Sequence, residues 1–492
     1  MLRKMAAAAA KRTKAAFADR PHSRQTITMF KSTAKDIFRL GWPVLIAQLA
    51  TMANGVIDTV MAGHHSARAL AVVGLGTSIF FSIFVSLMGV LLALSPTISQ
   101  HFGAARHAEI THDVRQGFWL TLAVTLPGMA LLSAPGPLIA LIGMAPDLAI
   151  EVRSYLMALV WAAPAMLLFR VFYAWATAIS QPRAVMVIQL AGLALKVPLN
   201  WALMYGHLGF PAMGGVGCAW ALVIEAWLML ACALAWTQMH PAFRKYRVFA
   251  RIDAPDWRAL RRLLALGLPI GASFMIDVTS YTFMALFIAR LGESWSAGHQ
   301  IAANLGALCY MVPLALANAT SVLVGQAIGA HDYRRARAAG WTGLAIGVVV
   351  ALFLASLVAA LSLPIAALYS KDPVVVGIAA PLLALVAMFH LFDATNAVAS
   401  NALRGYKKAL VPMLAFAAGL WGVGLGGGYL LAYTSTFGAP LGARGFWIGA
   451  IIGMAVAALA VTAYFARISQ AFADAGGPPA RAGERAPPSE HV

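Results

Sequence analysis

The chain has 492 residues, of which 61% are hydrophobic and only 11% charged, yet its formal net charge is +18. Soluble globular proteins carry about 25% charged residues and about 45–50% apolar ones, so this composition excludes a water-soluble protein. It also excludes a typical nucleic-acid-binding protein, because the few lysines and arginines are dispersed among apolar segments and form no single basic patch. The composition therefore predicts an integral membrane protein.

Long apolar segments separated by short polar breaks follow one another from about residue 38 to residue 468. A helix that crosses a bilayer needs about 20 mostly apolar residues, and these segments lack the alternating pattern of a β-barrel strand. We therefore predict an all-α integral membrane protein with twelve transmembrane helices. The predicted spans are 38–62, 70–100, 117–144, 152–180, 184–206, 213–238, 260–290, 297–328, 338–363, 375–403, 409–433 and 444–468.

The predicted organisation is two six-helix bundles between polar tails. Residues 38–240 form the N-terminal bundle, 260–468 the C-terminal bundle, and 241–259 a cytoplasmic linker. Residues 1–37 are predicted to be a basic cytoplasmic tail. Residues 469–492, which contain the stretch GGPPARAGERAPP, are predicted to be a disordered cytoplasmic tail. The five alanines near the N-terminus are fewer than the about 7–15 apolar residues of a secretory signal, so we expect no cleaved signal peptide.

Basic residues are distributed unevenly over the predicted loops. With the N-terminus in the cytoplasm, the outward loops hold five of the 36 lysines and arginines, and Arg170 and Lys196 lie within spans. The five outward residues are Arg68, Arg153, Arg290, Lys371 and Arg444. Cytoplasmic loops are enriched in Lys and Arg, so we predict that both termini face the cytoplasm of a bacterial-type inner membrane.

A repeated pattern of small and polar residues relates the two halves. LGWP at 40–43 recurs as LGLP at 266–269, an offset of 226 residues. The same offset relates Ser95, Gln100, Gly103 and Ala104 to Ser321, Gln326, Gly329 and Ala330. Repeats that begin six spans apart have the same orientation in the bilayer, so we predict a pseudo-twofold axis along the membrane normal with a cavity between the halves.

Four acidic residues, Asp58, Glu225, Asp277 and Asp393, lie within predicted spans. An aspartate at the centre of a membrane helix costs about 2.5–3.5 kcal/mol on insertion scales, so such residues are functional candidates. A structural ion pair or a helix-end position is the alternative for each. A carboxylate surrounded by oxygen and amide groups can hold a proton or a hard cation such as Na⁺.

The helical spacing adds polar neighbours to each acid. Thr51 and Asn54 share a face with Asp58, and Tyr281 shares one with Asp277. His390 and Asn396 share a face with Asp393, and Ser273, Ser280 and Ser400 extend these last two groups.

The fifth predicted span carries a further polar group. Asn200 follows Pro198, which frees a backbone carbonyl, and Lys196 precedes it by one turn. Glu225 on the next span is a candidate counter-charge for Lys196, either in a structural ion pair or in transport. For Arg170 we expect pairing or an interfacial position of the charged end.

No other site is predicted. The three cysteines lie inside apolar stretches without a C-x-x-C pair, so we expect neither a disulfide nor a zinc site. The glycine run at 422–428 lies in an apolar span with no Walker lysine, which favours close helix packing over phosphate binding. We expect no cofactor, no nucleic-acid partner and no obligate protein partner.

Several segments together resemble the multidrug and toxic compound extrusion (MATE) family, in its NorM-like branch. They are LGWPVLIAQLATMANGVIDTVMAG with Asp58, KVPLNWALMYG with Asn200, LGLPIGASFMIDVTSYTFMALFIARLG with Asp277, AGHQIAAN, VGQAIGA, and FHLFDATNAVASNALRGYKKALVP with Asp393. The resemblance covers roughly residues 38–465 and is specific only in the combination of its motifs.

The resemblance implies cation-coupled export of bulky, amphipathic, often cationic drugs by two six-helix bundles that alternately open to each side of the membrane. Asp58, Asn200, Asp277 and Asp393 would carry the coupling, with H⁺ or Na⁺ as the ion, at Asp393 and Asp277 or at Asp58 and Asn200. Asp277 stands where NorM-like members commonly have glutamate. Met204 stands where members with an N-terminal sodium site can have aspartate, so the ion stays open.

Two alternatives remain. A lipid-linked saccharide flippase would favour a cationic cavity, towards which the sequence offers Lys196 and Arg170. A membrane-embedded acyltransferase would need clustered His/Asp or Ser/His groups near one interface, and the sequence has no convincing one.

Overall fold

The computed structural model of the chain describes residues 21–137, 139, 144–251, 253–436 and 438–478. Within these ranges all regular secondary structure is helical, and twelve helices are long and apolar enough to cross a membrane, as predicted. In chain order they are α1 Pro21–His65, α2 Ala67–Gly103, α3 His107–Ser133, α4 Pro146–Ala178, α5 Pro182–Tyr205, α6 Gly215–Met239, α7 Trp257–Ala289, α8 Glu293–Gly329, α9 Tyr333–Ala360, α10 Pro373–Gly405, α11 Leu410–Tyr433 and α12 Ala443–Ala475. The short helices Pro241–Arg244, Val248–Ala250 and Ser362–Tyr369 lie between them.

Two segments differ from the predicted tails. Residues 21–37 belong to α1, and α12 continues to Ala475, so parts of both predicted tails are helical. Ile37 is fully buried against Ala319 and Val322 of α8, which gives the start of α1 an apolar contact that its basic composition obscured. Residues 1–20 and 479–492 lie outside the described residues.

The third span also differs from its predicted position. It runs from His107 to Ser133 and not from 117 to 144. Pro135 and Pro137 follow its end, and because proline lacks a backbone N–H the apolar composition beyond Ser133 does not extend the helix.

Each half of the chain packs around its own core. In the N-terminal half α4 packs on α6, and α5 packs on α1 and α6; in the C-terminal half α10 packs on α8 and α12. The largest buried apolar cluster lies mainly in the first half and extends onto α7, and two others lie in the second half. A small cluster that includes Ile37 joins α1 to α8.

The two halves meet at one end of the molecule through repeat-related glycines. Gly103 at the end of α2 lies against Gln326 of α8, where an added Cβ would come within 1.8 Å of the carbonyl oxygen. Gly329 at the end of α8 makes the same approach to Gln100 of α2, also within 1.8 Å. Only glycine allows two backbones to come this close.

The glutamines of this contact also cross between the halves. Gln100 Nε2 donates to the carbonyl oxygen of Gly405, at the end of α10, over 2.8 Å. Gln326 Nε2 donates to the carbonyl oxygen of Ala178, at the end of α4, over 2.8 Å. These exchanged contacts show the pseudo-twofold relation that the repeat predicts.

The linker between the halves is docked on α3. Arg115 donates to the carbonyl oxygens of Val248 at 2.7 Å and Arg247 at 3.0 Å, and to Asp253 Oδ2 at 2.9 Å. Gln116 Nε2 donates to the carbonyl oxygen of Ala254 over 3.0 Å. The hydrogen bond and positive charge of Arg115 hold the pKa of the Asp253 carboxyl below its ordinary value. The linker is therefore bound to the N-terminal half.

Candidate functional site

The first candidate site is a cavity of about 450 Å³ inside the N-terminal half. Thr51, Asn54 and Asp58 line it from the predicted polar face of α1, and Glu225 lines it from α6. Its apolar wall includes Phe80, Phe81, Phe84, Phe169, Met166 and Met229. Arg170 also lines this cavity. Because its lining combines charged and amide groups with aromatic and thioether side chains, the cavity suits an amphipathic ligand.

A buried network of charges and amides lies beside this cavity. Asn200 Nδ2 donates to Asp58 Oδ1 over 2.8 Å, and Lys196 Nζ lies 3.0 Å from the same oxygen. Both residues come from α5, one turn apart, and both are fully buried. Asp58 is therefore held by a cation and an amide of the same helix.

The network continues from Lys196 to α6. Lys196 Nζ lies 3.6 Å from Glu225 Oε2, and Glu225 Oε1 accepts a hydrogen bond from Asn54 Nδ2 over 2.7 Å. The order of contacts is Asn200, Asp58, Lys196, Glu225 and Asn54. The sequence suggested only Glu225 as a counter-charge, whereas the shorter contact of Lys196 is to Asp58.

This arrangement neutralises charges that would be costly alone. Taking an ion out of water costs several kcal/mol even after relaxation, and only close ion pairs with additional hydrogen bonds offset that cost. Lys196 and Glu225 are both fully buried, and each has an opposite charge within 4 Å. The ammonium of Lys196 therefore compensates the carboxylates of both Asp58 and Glu225.

The second candidate site lies in the C-terminal half. Asp277 of α7 and Asp393 of α10 line the same cavity of about 50 Å³. Their carboxylates have no hydrogen bond or ion pair to any residue within the described ranges. This small cavity brings together two acids that are more than 100 positions apart in the sequence.

The predicted polar neighbours of these acids fall into two groups. Ser273, Asn396 and Ser400 line the same cavity. Tyr281 and His390 do not: the Tyr281 ring packs edge-on against Phe389 at 6.3 Å, and His390 is buried outside the lining.

Sequence reasoning missed several lining residues of this cavity, and Tyr310 and Arg404 are the two whose side chains matter most for its chemistry. Tyr310 has no acidic neighbour on its own face of α8, so the sequence offered no reason to select it. Only the packing of α8 against α10 brings it to the site. Arg404 was assigned to a cytoplasmic loop, but it lies in the last turn of α10, half-buried and facing the cavity. Its position one residue beyond the predicted span was the available signal.

The two halves therefore treat their acids differently. Asp58 and Glu225 share a buried lysine and two amide donors, whereas Asp277 and Asp393 contact neither kind of group among the residues that the structure describes. Carboxylate, hydroxyl and amide oxygens are the ligands that hard cations prefer, and a carboxylate is also a proton acceptor. Arg404 lines the cavity of the C-terminal pair, but within the described ranges no basic side chain lies within 4 Å of either carboxylate, so these two acids are not held in an ion pair.

Comparison with known proteins identifies the family of this fold. The family model named MatE matches residues 43–202 and 269–430, one block in each half. A probable multidrug resistance protein NorM of Aromatoleum aromaticum is 41% identical over 86% of this chain and 92% of its own length. The multidrug resistance protein PmpM of Pseudomonas aeruginosa is 38% identical over 90% of this chain and 93% of its own.

The fold is also that of solved structures. The crystal structure of the eukaryotic MATE transporter AtDTX14 superposes with a TM-score of 0.81 at 20% identity, covering 91% of this chain and 100% of that one. The helical architecture is thus shared even where the sequences have diverged. With two MatE blocks and NorM relatives along nearly its whole length, the chain belongs to the MatE family of multi-pass membrane transporters, in the NorM-like branch.

Proposed function

We propose that the chain is a cation-coupled antiporter that exports bulky amphipathic, often cationic, organic compounds from the cytoplasm. The relatives named multidrug resistance proteins support the substrate class. The cavity of about 450 Å³, lined by Asp58, Glu225 and several aromatic side chains, is of the size and chemistry that such compounds need. A transporter of this kind needs no covalent chemistry and no cofactor.

The unpaired acids of the C-terminal half carry the coupling part of the proposal. Asp277 and Asp393 share one cavity and have no cationic partner within 4 Å among the described residues. We assign the coupling ion, H⁺ or Na⁺, to this pair. Asp58 serves first as an element of the Lys196 network, and ion entry there requires Lys196 to move.

The contact between α2 and α8 supports alternating access. It joins the ends of α2 and α8, which we assign to the cytoplasmic side on the basis of the distribution of basic residues. We infer that this conformation is closed towards the cytoplasm of a bacterial inner membrane, with both termini inside. Export then requires the contacts at Gly103 and Gly329 to open.

The driving force is sufficient for such an exchange. One charge moved across 100 mV yields about 2.3 kcal/mol, and half a pH unit adds about 0.7 kcal/mol because one unit corresponds to about 1.36 kcal/mol. Together they sustain roughly a hundredfold drug gradient per ion.

The test is ethidium efflux from cells, with Na⁺ concentration and pH varied separately. We expect the double variant Asp277→Asn, Asp393→Asn to retain ethidium like cells without the protein. The control is Asp474→Asn, an aspartate at the end of α12 whose carboxylate, among the described residues, accepts exposed hydrogen bonds from Gln470 alone. Equal ion-dependent efflux by wild type and double variant would exclude this pair as the coupling site.

The two alternatives are not supported. Relatives that match nearly the whole chain are named multidrug resistance proteins. The chain is accordingly a transporter and not an enzyme.

A further inference from the structure

A groove of about 560 Å³, called the linker groove below, lies between α3, α4 and the linker that joins the two halves. Leu122 and Leu126 of α3 line it and are exposed, and Pro164 and Leu168 line it from α4. Within the described chain its lining residues all belong to the N-terminal half and the linker, and none of them lines either acidic cavity. Because exposed leucines on a spanning helix face the lipid chains, the groove opens to the bilayer.

The length of the linker groove matches one leaflet of the membrane. Helix α3 begins at His107 on the side that we assign to the cytoplasm, so the Arg115 end of the groove lies nearer that surface. From Arg115 to Met129 the lining of α3 extends over about 21 Å at 1.5 Å per residue. One leaflet of the hydrocarbon core is about 15 Å thick, half of the bilayer value. The groove therefore has room for one acyl chain and for the polar end of its lipid beside the linker.

Two arginines share one aspartate at the linker end of the groove. Arg115 Nη1 lies 2.9 Å from Asp253 Oδ2, and Arg251 Nε lies 2.8 Å from Asp253 Oδ1. The remaining donors of Arg115 bind the carbonyl oxygens of Val248 and Arg247, whereas the Nη groups of Arg251 contact no acceptor among the residues that the structure describes. The three side chains therefore keep one positive charge, and the exposed guanidinium of Arg251 carries the open donors.

The linker has the composition of a segment that lies at a membrane surface. Trp257 is exposed, and tryptophan is enriched where the bilayer meets water. The basic residues of the linker outnumber its two acidic ones, and they are Arg244, Lys245, Arg247, Arg251 and Arg258. Basic segments next to a spanning helix are attracted to anionic lipid. Positive charge at the end of the groove and apolar walls along it thus match the two parts of an anionic phospholipid.

We propose that the linker groove binds one anionic phospholipid, with its phosphate at Arg251 and one acyl chain along α3. A guanidinium presents paired N–H donors that match phosphate oxygens. The linker and α3 already meet there, because Phe249 stacks on Phe118 at 5.8 Å and Trp119 Nε1 donates to the carbonyl oxygen of Asp253 over 2.9 Å. A lipid in the groove contacts both elements and stabilises the docked linker. The inference concerns a bound lipid and does not depend on the proposed export function.

Native mass spectrometry of the purified full-length chain tests the charged end of the site. Phosphatidylglycerol and phosphatidylcholine with identical acyl chains are added in equal amounts, and the last lipid to dissociate is identified. We expect wild type to retain phosphatidylglycerol about fivefold more than phosphatidylcholine, the ratio that one basic side chain near an anionic lipid implies. Arg251→Gln should bring this ratio close to one. Arg258→Gln, which removes an exposed charge of the same linker outside the groove, should preserve it.

A second pair of variants tests the apolar part of the groove. Leu126→Trp fills the space where the acyl chain lies, so it should reduce retention of both lipids. Leu131→Trp is the matched control, because Leu131 is also exposed on α3 but does not line the groove. Glycerol 3-phosphate, which has the phosphate without the chains, should not displace the lipid.

Three results would overturn the proposal: equal retention of the two lipids by wild type, equal effects of Arg251→Gln and Arg258→Gln, or unchanged retention in Leu126→Trp. Displacement by glycerol 3-phosphate would assign Arg251 to free phosphate and likewise refute a lipid site. If the variants fail to fold, wild type alone decides. Its linker should be cleaved at least about threefold more slowly by protease in phosphatidylglycerol nanodiscs than in phosphatidylcholine nanodiscs, and equal cleavage would refute the stabilising role.

Discussion

Replacing Lys196 by methionine tests the buried charge network most directly. Methionine keeps a similar length but removes the ammonium that lies 3.0 Å from Asp58 and 3.6 Å from Glu225. Removing one partner of a buried ion pair costs about 3–5 kcal/mol, because the remaining charge loses its compensation. Here two carboxylates lose it, so we expect the unfolding free energy to fall by at least that amount.

The second variant in the series distinguishes pairing from packing. Glu225→Gln keeps an acceptor for Asn54 and leaves Lys196 its closer partner Asp58, so it should cost only about 1–2 kcal/mol. The double variant Lys196→Met, Glu225→Gln should then be more stable than the sum of the single effects predicts, by about 0.5–3 kcal/mol. Reversible unfolding of the purified protein in mixed micelles measures all four proteins.

The single variant Lys196→Met also tests whether the Lys196 ammonium occupies a position that a free cation can bind. Without its ammonium, Asp58 and Glu225 form an oxygen-rich buried site that can take Na⁺. A ligand at a hundred times its dissociation constant adds about 2.7 kcal/mol of stability. NaCl should therefore stabilise Lys196→Met more than it stabilises wild type, with choline chloride as the reference salt. Additive single effects together with equal responses to Na⁺ would refute this account of the network.

Two further predictions concern the contact between α2 and α8 and the linker that is docked on α3. Gly103→Val adds a side chain where there is no room, because a Cβ at this position lies 1.8 Å from the carbonyl oxygen of Gln326. The variant should separate α2 from α8 and increase cytoplasmic labelling of a cysteine placed in the cavity between the two halves. Gly377→Ala, where an added Cβ meets no atom within 4 Å, should leave the labelling unchanged. Because the pKa of Asp253 is lowered, its contact with Arg115 stabilises the docked linker fully above the ordinary carboxyl pKa of about 3.9. This stabilisation is lost as the pH falls from that value through the lowered pKa. Proteolysis at the linker should rise below about pH 4 in wild type, whereas Arg115→Gln should be cleaved readily already at neutral pH.

The charges inside the membrane were the part of the site that sequence could predict. Thr51, Asn54 and Asp58 share a helical face by spacing alone, and all three line one cavity. A buried lysine needs an anion, and Glu225 on the adjacent span was the nearest acid in the sequence that could supply one. Periodicity and the cost of isolated charge are properties of single helices, which is why these inferences did not require the fold.

Contacts that depend on how helices cross could not be predicted in the same way. Tyr310 reaches the C-terminal acids only because α8 packs against α10, and no local pattern indicates it. Arg404 lies on the same helix as Asp393, but one residue beyond the predicted span. The glycine run was assigned to close packing, but its helix is π-helical over Ala418–Gly427, where Gly419 packs against Gly453. The hydrogen-bond register within a helix depends on such packing contacts and cannot be inferred from amino-acid composition.

The two bundles share the repeat-related contact but differ in how their buried acids are compensated. This difference suggests how ion binding in one bundle can change the conformation of both. Gln100 and Gln326 make equivalent bonds across the halves, so the closing contact itself does not distinguish the two bundles. The charges do, because Lys196 already compensates the N-terminal acids while Asp277 and Asp393 lack any such partner among the described residues. A ligand shifts a conformational equilibrium only by its difference in affinity between the two states. We therefore expect ion binding at the C-terminal pair to change the balance of states directly, and binding at Asp58 to do so only after the energy that holds Lys196 has been overcome.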